Sequence, residues 1–504
     1  MLHAPSAPAA LATRREWASL SVLTLAVMLL SIDGTVLALA IPSLTAALSP
    51  TATQVLWIGD IYSFALAGLL ITMGNVADRI GRKKLLLMGA TAFGAASALA
   101  AFSPGPEVLI VARALLGIAG ATLMPSTLSL IRSIFRNPRQ RTTAIAVWAA
   151  GASGGAAAGP LIGGALLENF WWGSVFLVNI PVIAVIVVAG AVLLPESRGS
   201  EKKPIDLLSA ALSVLAIVPL VYAVKHLAGH GFDATVPVAI VVGVASAWIF
   251  VRRQRSLRTP LLDLELFRVP AFTGAIVANS LGVFAFIGLL FFFSQYLQLV
   301  RGFSPLVAGL AQLPASVASV AVVVIVALLA RKLGRGRAIG CALLVAGVGM
   351  VGLALTEGLT TYVGVGLCLA IVGLGVGVSM TLSTDAVVAA APKERAGAAS
   401  AISETGYELG TALGIAVLGT LQTVFYRARL EADQLAGTDE QAVRESLARA
   451  LEVLPADSPV LEHAREAFTG GMQLASFCAA ALLVVGGTIA LRVIPNTKEA
   501  ADGH

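Results

Sequence analysis

The chain has 504 residues, of which 57% are apolar and only 12% are charged. An average soluble domain carries about 25% charged residues, so this composition excludes a soluble domain and indicates an integral membrane protein. The net charge of +6 is then explained by membrane topology rather than by nucleic-acid binding. The five histidines and three cysteines form no recognisable metal or disulfide pattern.

Fourteen apolar runs are long enough to cross a membrane, since a hydrocarbon core of about 30 Å needs about 20 apolar residues per helix. The first run is long and lacks a small-residue cleavage site, which predicts a retained helix rather than a signal peptide. The sequence therefore predicts an all-α integral membrane protein with fourteen transmembrane helices. In chain order the runs lie at about 18–41, 55–75, 85–103, 107–130, 143–166, 173–195, 206–226, 235–251, 271–297, 305–330, 338–356, 361–384, 397–424 and 471–493.

Lysine and arginine are distributed unevenly between alternate loops. With a cytoplasmic N-terminus, the cytoplasmic segments carry 26 of them, and the outer segments carry 2 besides the five in the long outer loop 427–469. Positive charge favours the cytoplasmic side, so we expect both termini in the cytoplasm. The long loop has helical spacing of Leu, Val and Ala, which predicts a helical hairpin, with a solvated tether as the alternative.

The first two runs each contain one aspartate. A charge inside a membrane helix costs about 2.5 kcal/mol or more, so such a residue is a functional candidate by default. Asp33 lies about fifteen residues into its run and has to face a cavity or a partner. A buried carboxylate there can bind a proton or a cation, and competition for one site is the simplest form of antiport. Asp60 lies about five residues inside its run, so an interfacial position is its alternative.

A basic turn, GNVADRIGRKK at 74–84, follows the second run, and a weaker echo, RKLGRGR, lies at 331–337. If the seventh and eighth runs are an insertion, each turn follows the second helix of a six-helix set. This predicts an N-terminal bundle at 1–200, two inserted linker helices at 201–270 and a C-terminal bundle at 271–504. Two such halves are typical of transporters that bind substrate near the midplane. The first turn is expected to form a cytoplasmic gate through Gly74, Asp78, Arg79, Gly81, Arg82 and Lys84.

The fourth run contains a single arginine, Arg113, in its outer half. At that depth it can pair with Asp33 or Asp60 and tune their affinity for protons. An arginine that snorkels towards the membrane surface, or one with a purely structural role, is the alternative.

The fifth run carries glycines at four-residue intervals, which places them on nearly one helix face. Small residues at this spacing let a neighbouring backbone approach closely. The proline in the same stretch removes one amide donor and should bend the helix beside that face. We expect a bent helix at a moving interface, with a simple packing helix as the alternative. The residues of this motif are Gly151, Gly155, Gly159, Pro160, Gly163 and Gly164.

The thirteenth run contains Glu404 and Glu408, which share one helix face because they are four residues apart. A second glycine stripe, Gly406, Gly410 and Gly414, lies on the opposite face. The glycines are therefore expected to pack against a neighbour while the acids face a cavity. An interfacial position is the alternative for Glu404.

Three of these stretches resemble signatures of one family. GNVADRIGRKK resembles the loop signature of the major facilitator superfamily, GAAAGPLIGG the fifth-helix signature of its antiporters, and IDGTVLALAIP the first-helix signature of its fourteen-helix drug:proton antiporters. The resemblance covers essentially the whole chain and implies two six-helix bundles plus two inserted helices. One departure is Leu116, which stands where the family pattern usually has a glutamine, so a polar network around Arg113 is not carried over.

The resemblance implies a proton-coupled multidrug efflux transporter that works by rocker-switch alternating access. Expected substrates are lipophilic cations such as quaternary ammonium compounds and ethidium-like dyes, with fluoroquinolones as a further candidate class. An exporter dedicated to one endogenous lipid or metabolite is the alternative. Proton coupling or substrate binding is implied for five residues: Asp33, Asp60, Arg113, Glu404 and Glu408.

The expected partners are small hydrophobic or cationic drugs and the lipid bilayer of a bacterial cytoplasmic membrane, with protons as the coupling ion. The sequence contains no GxxxxGK, HExxH or GxSxG run, so we expect no enzymatic activity, no ATP and no cofactor or metal. No nucleic-acid partner is expected, and a monomer is the expected functional unit. Aromatic rings can bind flat cations, and the candidates are Trp57, Tyr62, Trp148, Phe284, Phe286, Tyr296 and Tyr407.

Overall fold

The computed structural model describes residues 11–198, 206–257, 260–322, 325–359, 361–391, 396–430 and 439–496. Within these ranges the chain forms eighteen α-helices and no strand. In chain order the helices are α1 (Arg14–Leu48), α2 (Ala52–Ile80), α3 (Arg82–Ala101), α4 (Pro106–Ile134), α5 (Pro138–Asn169), α6 (Ser174–Leu177), α7 (Asn179–Leu193), α8 (Leu207–His230), α9 (Thr235–Ser256), α10 (Pro270–Gln295), α11 (Pro305–Ala321), α12 (Val326–Leu333), α13 (Arg335–Thr356), α14 (Tyr362–Ala390), α15 (Ala396–Arg429), α16 (Glu440–Glu445), α17 (Leu447–Val453) and α18 (Pro459–Val493). A 3-10 turn (Leu266–Arg268) precedes α10, and a π-helical turn (Tyr296–Val300) extends it.

Fourteen crossings of a membrane can be made from the described residues. Thirteen helical segments are long and apolar enough to span a bilayer, and the fourteenth is α11 with α12, which meet at a bend of 55°. Short α6 and α7 together make one of the thirteen. Each predicted run coincides with one crossing, so the prediction of fourteen transmembrane helices is confirmed.

Most helices extend beyond the apolar runs that predicted them. A capping box at Thr13 and Glu16 starts α1 before its apolar stretch, and another at Thr51 and Gln54 starts α2. Helix α18 begins at Pro459, although its apolar run begins near residue 471. Hydropathy reports only the length that lies in lipid, whereas caps and packing contacts set where a helix ends.

The helices form two bundles and an inserted pair. Helices α1–α7 pack together, as do α10–α15 with α18, while α8 and α9 pack mainly against each other. Helix α8 also lies against α2 of the first bundle and α15 of the second. This is the predicted arrangement of two six-helix bundles plus two inserted helices. The residue limits 1–200, 201–270 and 271–504 stay a prediction.

The two bundles meet at one end of the molecule. We call this end, where the chain turns from α1 into α2, the α1–α2 face, and we call the opposite end the α2–α3 face. At the α1–α2 face the Gln298 side chain donates to the Leu39 carbonyl (3.1 Å), and the Ala52 amide donates to Glu445 (2.8 Å). Contacts between the bundles continue to the middle of α2 and α15. The bundles are therefore closed together at the α1–α2 face.

The long loop 427–469 covers part of the α1–α2 face. Its described part contains the end of α15, the short helices α16 and α17, and the start of α18; residues 431–438 lie outside the described ranges. Val443 and Leu447 are buried, and the Tyr426 hydroxyl donates to the Val443 carbonyl (2.8 Å). Arg449 donates to Ser49, at the end of α1 (2.8 Å). The loop is thus attached to both bundles rather than being a free tether.

The glycine stripes pack as predicted. A Cβ at Gly155 would overlap the backbone of Met28 on α1, and one at Gly159 would overlap Thr35. Near the same end of α5, a Cβ on Gly309 of α11 would overlap the Pro160 carbonyl. Helix α5 therefore contacts both bundles through residues of its motif. The second stripe packs against α10 in the same way, through Gly406, Gly410 and Gly414.

Candidate functional site

A buried ion pair between Asp33 and Arg113 lies inside the first bundle. Nη1 of Arg113 is 3.0 Å from Oδ2 of Asp33, and both residues are at most 1% exposed. The other carboxylate oxygen accepts a hydrogen bond from Nδ2 of Asn179 (2.9 Å). Arg113 also donates to the Ile58 carbonyl and lies 4.6 Å from the centre of the Tyr62 ring. The prediction that Arg113 pairs with an aspartate is confirmed, and the snorkelling alternative is wrong.

A second buried pair joins Asp60 to a residue that the sequence did not suggest. Nζ of Lys225, on α8, is 2.6 Å from Oδ2 of Asp60, and both side chains are fully buried. The Lys225 ammonium also lies 3.8 Å from the centre of the Trp57 ring. Asp60 is therefore not interfacial. In the count of positive charges, Lys225 is one of the two residues placed in the outer segments. It nevertheless falls within the run 206–226, where a charged side chain indicates a functional site.

The glutamate pair on α15 turns towards the first bundle. Glu408 is buried and lies close to Ser63 on α2. Arg113 lies within electrostatic range of Glu408, and Tyr62 lies within range of both Glu408 and Asp33. Glu404, one turn earlier, is partly exposed. Since the glycine stripe faces α10, the predicted separation of packing face and acidic face is confirmed.

These groups form one cluster that spans the two bundles. The first bundle supplies Asp33, Arg113 and Tyr62, and the second supplies Glu408. Acids and a base in such an arrangement can hold protons or an organic cation, because either ligand compensates a buried carboxylate. Within the described residues, no group of three or more His, Cys, Asp and Glu side chains is placed to hold a metal ion.

The aromatic candidates separate into two groups. Trp57 lies beneath Lys225 and Tyr62 beneath Arg113. Tyr407 precedes Glu408 in sequence and lies within electrostatic range of both Glu404 and Glu408. The others make different contacts. Trp148 donates to Thr127 on α4 (3.1 Å), Phe284 and Phe286 pack against the core, and Tyr296 is buried at the α1–α2 face, where its hydroxyl donates to the Glu357 carbonyl. Tyr296 therefore lies apart from the cluster, and its role as a substrate contact stays a prediction.

The predicted gate motif is held within the first bundle. Asp78 pairs with Arg82 (2.9 Å), and Arg82 also donates to the Ser197 hydroxyl (3.2 Å). Gly81 has a φ of 116°, which favours glycine, and any side chain there would overlap Glu196. Glu196, missed by sequence reasoning, accepts from the Lys83 amide (3.3 Å). The remaining motif members make ordinary contacts or are exposed: Gly74, Arg79 and Lys84.

Three acids lie near the ends of predicted runs, where a charge is ordinarily expected to be solvated: Asp385, Glu168 and Glu357. Asp385 fits this expectation, since it is half-exposed and pairs with Arg335 (2.9 Å). Glu168 is also exposed. Glu357 does not fit, because it is only 2% exposed and accepts a hydrogen bond from Ser476 on α18 (3.0 Å). Ser476 lies inside the apolar run of α18, so the packing of α13 along α18 buries this acid.

Comparison with known proteins gives one consistent result. The family model of the Major Facilitator Superfamily matches residues 23–415. The chain is 45% identical over 483 residues to the multidrug efflux pump LfrA of Mycolicibacterium smegmatis, covering 94% of this chain and 95% of LfrA. It is 36% identical to the methyl viologen resistance protein SmvA of Salmonella typhimurium (94% and 97% covered). It is 31% identical to the tetracenomycin C resistance and export protein of Streptomyces glaucescens (95% and 91% covered).

A solved structure has the same fold. It is the crystal structure of a bacterial homolog of the human lysosomal transporter Spinster, in an inward-facing and unoccupied conformation. The TM-score is 0.67, with 18% sequence identity, and the alignment covers 96% of this chain and 97% of the other. At this identity the likeness supports the fold alone.

Proposed function

The chain belongs to the Major Facilitator Superfamily, and we propose that it is a multidrug exporter that exchanges protons for lipophilic cations across a bacterial cytoplasmic membrane. The names of LfrA and SmvA support drug efflux as the general activity. One observation carries the proposal: an acid–base cluster spans the two bundles, with Asp33 and Arg113 in the first and Glu408 in the second.

The orientation follows from the distribution of positive charge. Most lysines and arginines lie on loops at the α2–α3 face, which we therefore place in the cytoplasm together with both termini. The α1–α2 face, where the bundles are closed together, then lies outside. We assign this arrangement to an inward-facing state, in which a drug would reach the cluster from the cytoplasm or the inner leaflet; the contacts that join the bundles at the α1–α2 face support the assignment.

Exchange follows from competition for the same carboxylates. In the inward-facing state a deprotonated Glu408 attracts a drug cation, and Glu404 is exposed enough to meet it first. After the bundles rock open to the outside, a proton takes the place of the cation, because one carboxylate cannot neutralise both at once. The proton then leaves to the cytoplasm when the bundles return. Asp33 keeps Arg113 in place and supplies the balancing charge on the opposite side of the cluster.

The chemistry of the cluster favours flat, lipophilic cations. Carboxylates supply charge, and the Tyr62 and Tyr407 rings supply π faces that attract cations by about 0.5–2 kcal/mol. Quaternary ammonium compounds and ethidium-like dyes have these properties, and the export of fluoroquinolones is a further candidate activity. Energy comes from the proton gradient alone, with neither ATP nor a cofactor.

Transport by purified protein tests the proposal. Protein is reconstituted into vesicles that contain DNA, so that entering ethidium becomes fluorescent, and an acidic lumen is imposed. We expect ethidium to accumulate only while the pH gradient lasts and Glu408→Gln to abolish accumulation. The matched control is Asp385→Asn, which changes a half-exposed acid outside the cluster and should transport normally. Ethidium movement that ignores the pH gradient would refute proton coupling, and no movement of ethidium or any competing cation would refute cation export.

A further inference from the structure

Helix α8 fills the groove between the two bundles. Val221 on α8 packs against Phe64 of α2 and against Ala412 and Ala416 of α15. About two turns earlier on α8, the Ser213 hydroxyl donates to the Gly68 carbonyl of α2 (3.1 Å). Lys225 therefore enters from the side, at the boundary between bundles that have to move relative to each other during transport.

The Lys225–Asp60 pair is less completely bonded than the Asp33–Arg113 pair. Both oxygens of Asp33 accept hydrogen bonds from side chains. Apart from the 2.6 Å contact with Lys225, no other side chain among the described residues donates to Asp60, and the Lys225 ammonium has no second acceptor. A buried ion pair offsets its desolvation only when further hydrogen bonds complete it. The Lys225–Asp60 pair is thus a poor source of stability, and its partners can be exchanged at low cost.

The surroundings of the Lys225 ammonium form a cation site. The centre of the Trp57 ring lies 3.8 Å from Nζ of Lys225, and Oδ2 of Asp60 lies 2.6 Å from it. An aromatic face beside a carboxylate is the combination that binds organic cations in buried sites. The charged groups that act on Asp60 are Lys225 itself and, at longer range, Arg113.

We propose that Lys225 is a resident cation that occupies a second drug-cation site, formed by Trp57 and Asp60, and that a lipophilic cation displaces it during transport. The inference rests on the proposed function, since it assigns part of the substrate pathway. Because Lys225 belongs to the inserted helix α8, the proposal gives α8 a direct role in binding and not only a role in linking the bundles.

Equilibrium binding of ethidium to the purified full-length protein tests the proposal. Lys225→Met should bind ethidium about tenfold more tightly than the wild type, because the competitor for the ring and the carboxylate is gone. Asp60→Asn combined with Lys225→Met should lose this gain, and Lys225→Arg should bind like the wild type. The matched control is Arg253→Met, which removes the ion pair of the inserted helices with Asp206 and should not change the affinity. Equal affinities of Lys225→Met and the double variant would overturn the proposal.

A measurement on the unaltered protein covers the case in which Lys225→Met does not fold. A small amine acylating reagent is applied with and without saturating ethidium, and labelling is read by mass spectrometry, with Lys83 and Lys84 as internal standards. Displacement should raise the labelling of Lys225 severalfold; unchanged or lower labelling would overturn the proposal. Binding needs no gradient, so these results are independent of the vesicle experiment. A failure of transport with an Asp60-dependent gain in binding would refute the proposed function and leave this site standing.

Discussion

Replacing Asp33 with asparagine should abolish transport and weaken the fold. The change keeps the side-chain shape but removes the charge that balances Arg113, which is 1% exposed. It also leaves one acceptor where there were two, because an asparagine amide group carries one oxygen. The Arg113 and Asn179 donors, now 3.0 and 2.9 Å from the carboxylate, then compete for that oxygen.

The expected loss of stability is about 3 kcal/mol. Removing one partner of a buried ion pair costs about 3–5 kcal/mol, mostly because the other charge is left unpaired in a low dielectric. Arg113 keeps its hydrogen bond to the Ile58 carbonyl and its position over the Tyr62 ring. A cation over a ring gains about 0.5–2 kcal/mol, so these contacts place the loss near the lower end of the range.

A double variant separates the structural effect from the transport effect. Thermal unfolding in detergent compares Asp33→Asn, Arg113→Gln and the two together, and the DNA-loaded vesicles report ethidium transport for each. The double variant has no unpaired charge, so it should recover most of the stability lost in Asp33→Asn. It should not recover transport, because the acid that balances the cluster is still missing.

Two outcomes would refute this reasoning. Undiminished proton-coupled transport by Asp33→Asn would remove Asp33 from the mechanism. Recovery of transport by the double variant would show that the pair only needs to be neutral as a whole, and that neither charge takes part in exchange.

Two further predictions concern packing and pH. Gly155→Leu should prevent α5 from packing on α1, because its Cβ would overlap the Met28 backbone. Gly154→Leu should be tolerated, because nothing lies within 4 Å of a Cβ there. The yield of monodisperse protein is measured for both variants, and equal yields would contradict the packing argument. Asp206→Asn should lower the unfolding temperature at pH 7, and the difference from the wild type should shrink as the pH falls below 3.8. Burial raises the pKa of Asp206, but hydrogen bonds from Arg253 and Ser209 lower it by a larger amount. The pKa of Asp206 in the folded protein therefore lies below the ordinary 3.8. The stabilisation by the Asp206 carboxylate is therefore present above the pKa of the unfolded state and is lost as the pH falls through the pKa of the folded state. A difference in unfolding temperature between Asp206→Asn and the wild type that stayed constant with pH would contradict this argument.

The crossings were predictable because lipid imposes a length on every spanning helix, and hydropathy measures that length directly. The glycine stripes were predictable for a related reason, since a four-residue spacing fixes which residues share a helix face. Hydropathy has no signal for the bend between α11 and α12 or for the extension of α18 to Pro459. It also gives no signal that α13 packs along α18, which is why Glu357, expected to be solvated, is buried against Ser476.

The Asp33–Arg113 pair could be anticipated because both residues lie in the outer half of their runs and carry opposite charges. Asn179 could not, because an amide near the start of an apolar run differs little from its neighbours in a hydropathy profile. Its hydrogen bond to Asp33 depends on how α7 packs against α1. Depth along the membrane normal can be read from a sequence, but neighbours in the membrane plane cannot.

Lys225 shows the same limit and has a mechanical consequence. It lies near the end of its run, where depth alone suggests a solvated charge, and the packing of α8 against α2 and α15 buries it. When the bundles separate at the α1–α2 face, α8 has to lose contact with one of them. Its contacts with α2 include the Asp60 ion pair and the hydrogen bond to the Gly68 carbonyl, whereas those seen with α15 are apolar and involve small alanines. Breaking these small apolar contacts costs less free energy than leaving a buried charge unpaired. Helix α8 should therefore move with the first bundle until a cation replaces Lys225 at Asp60.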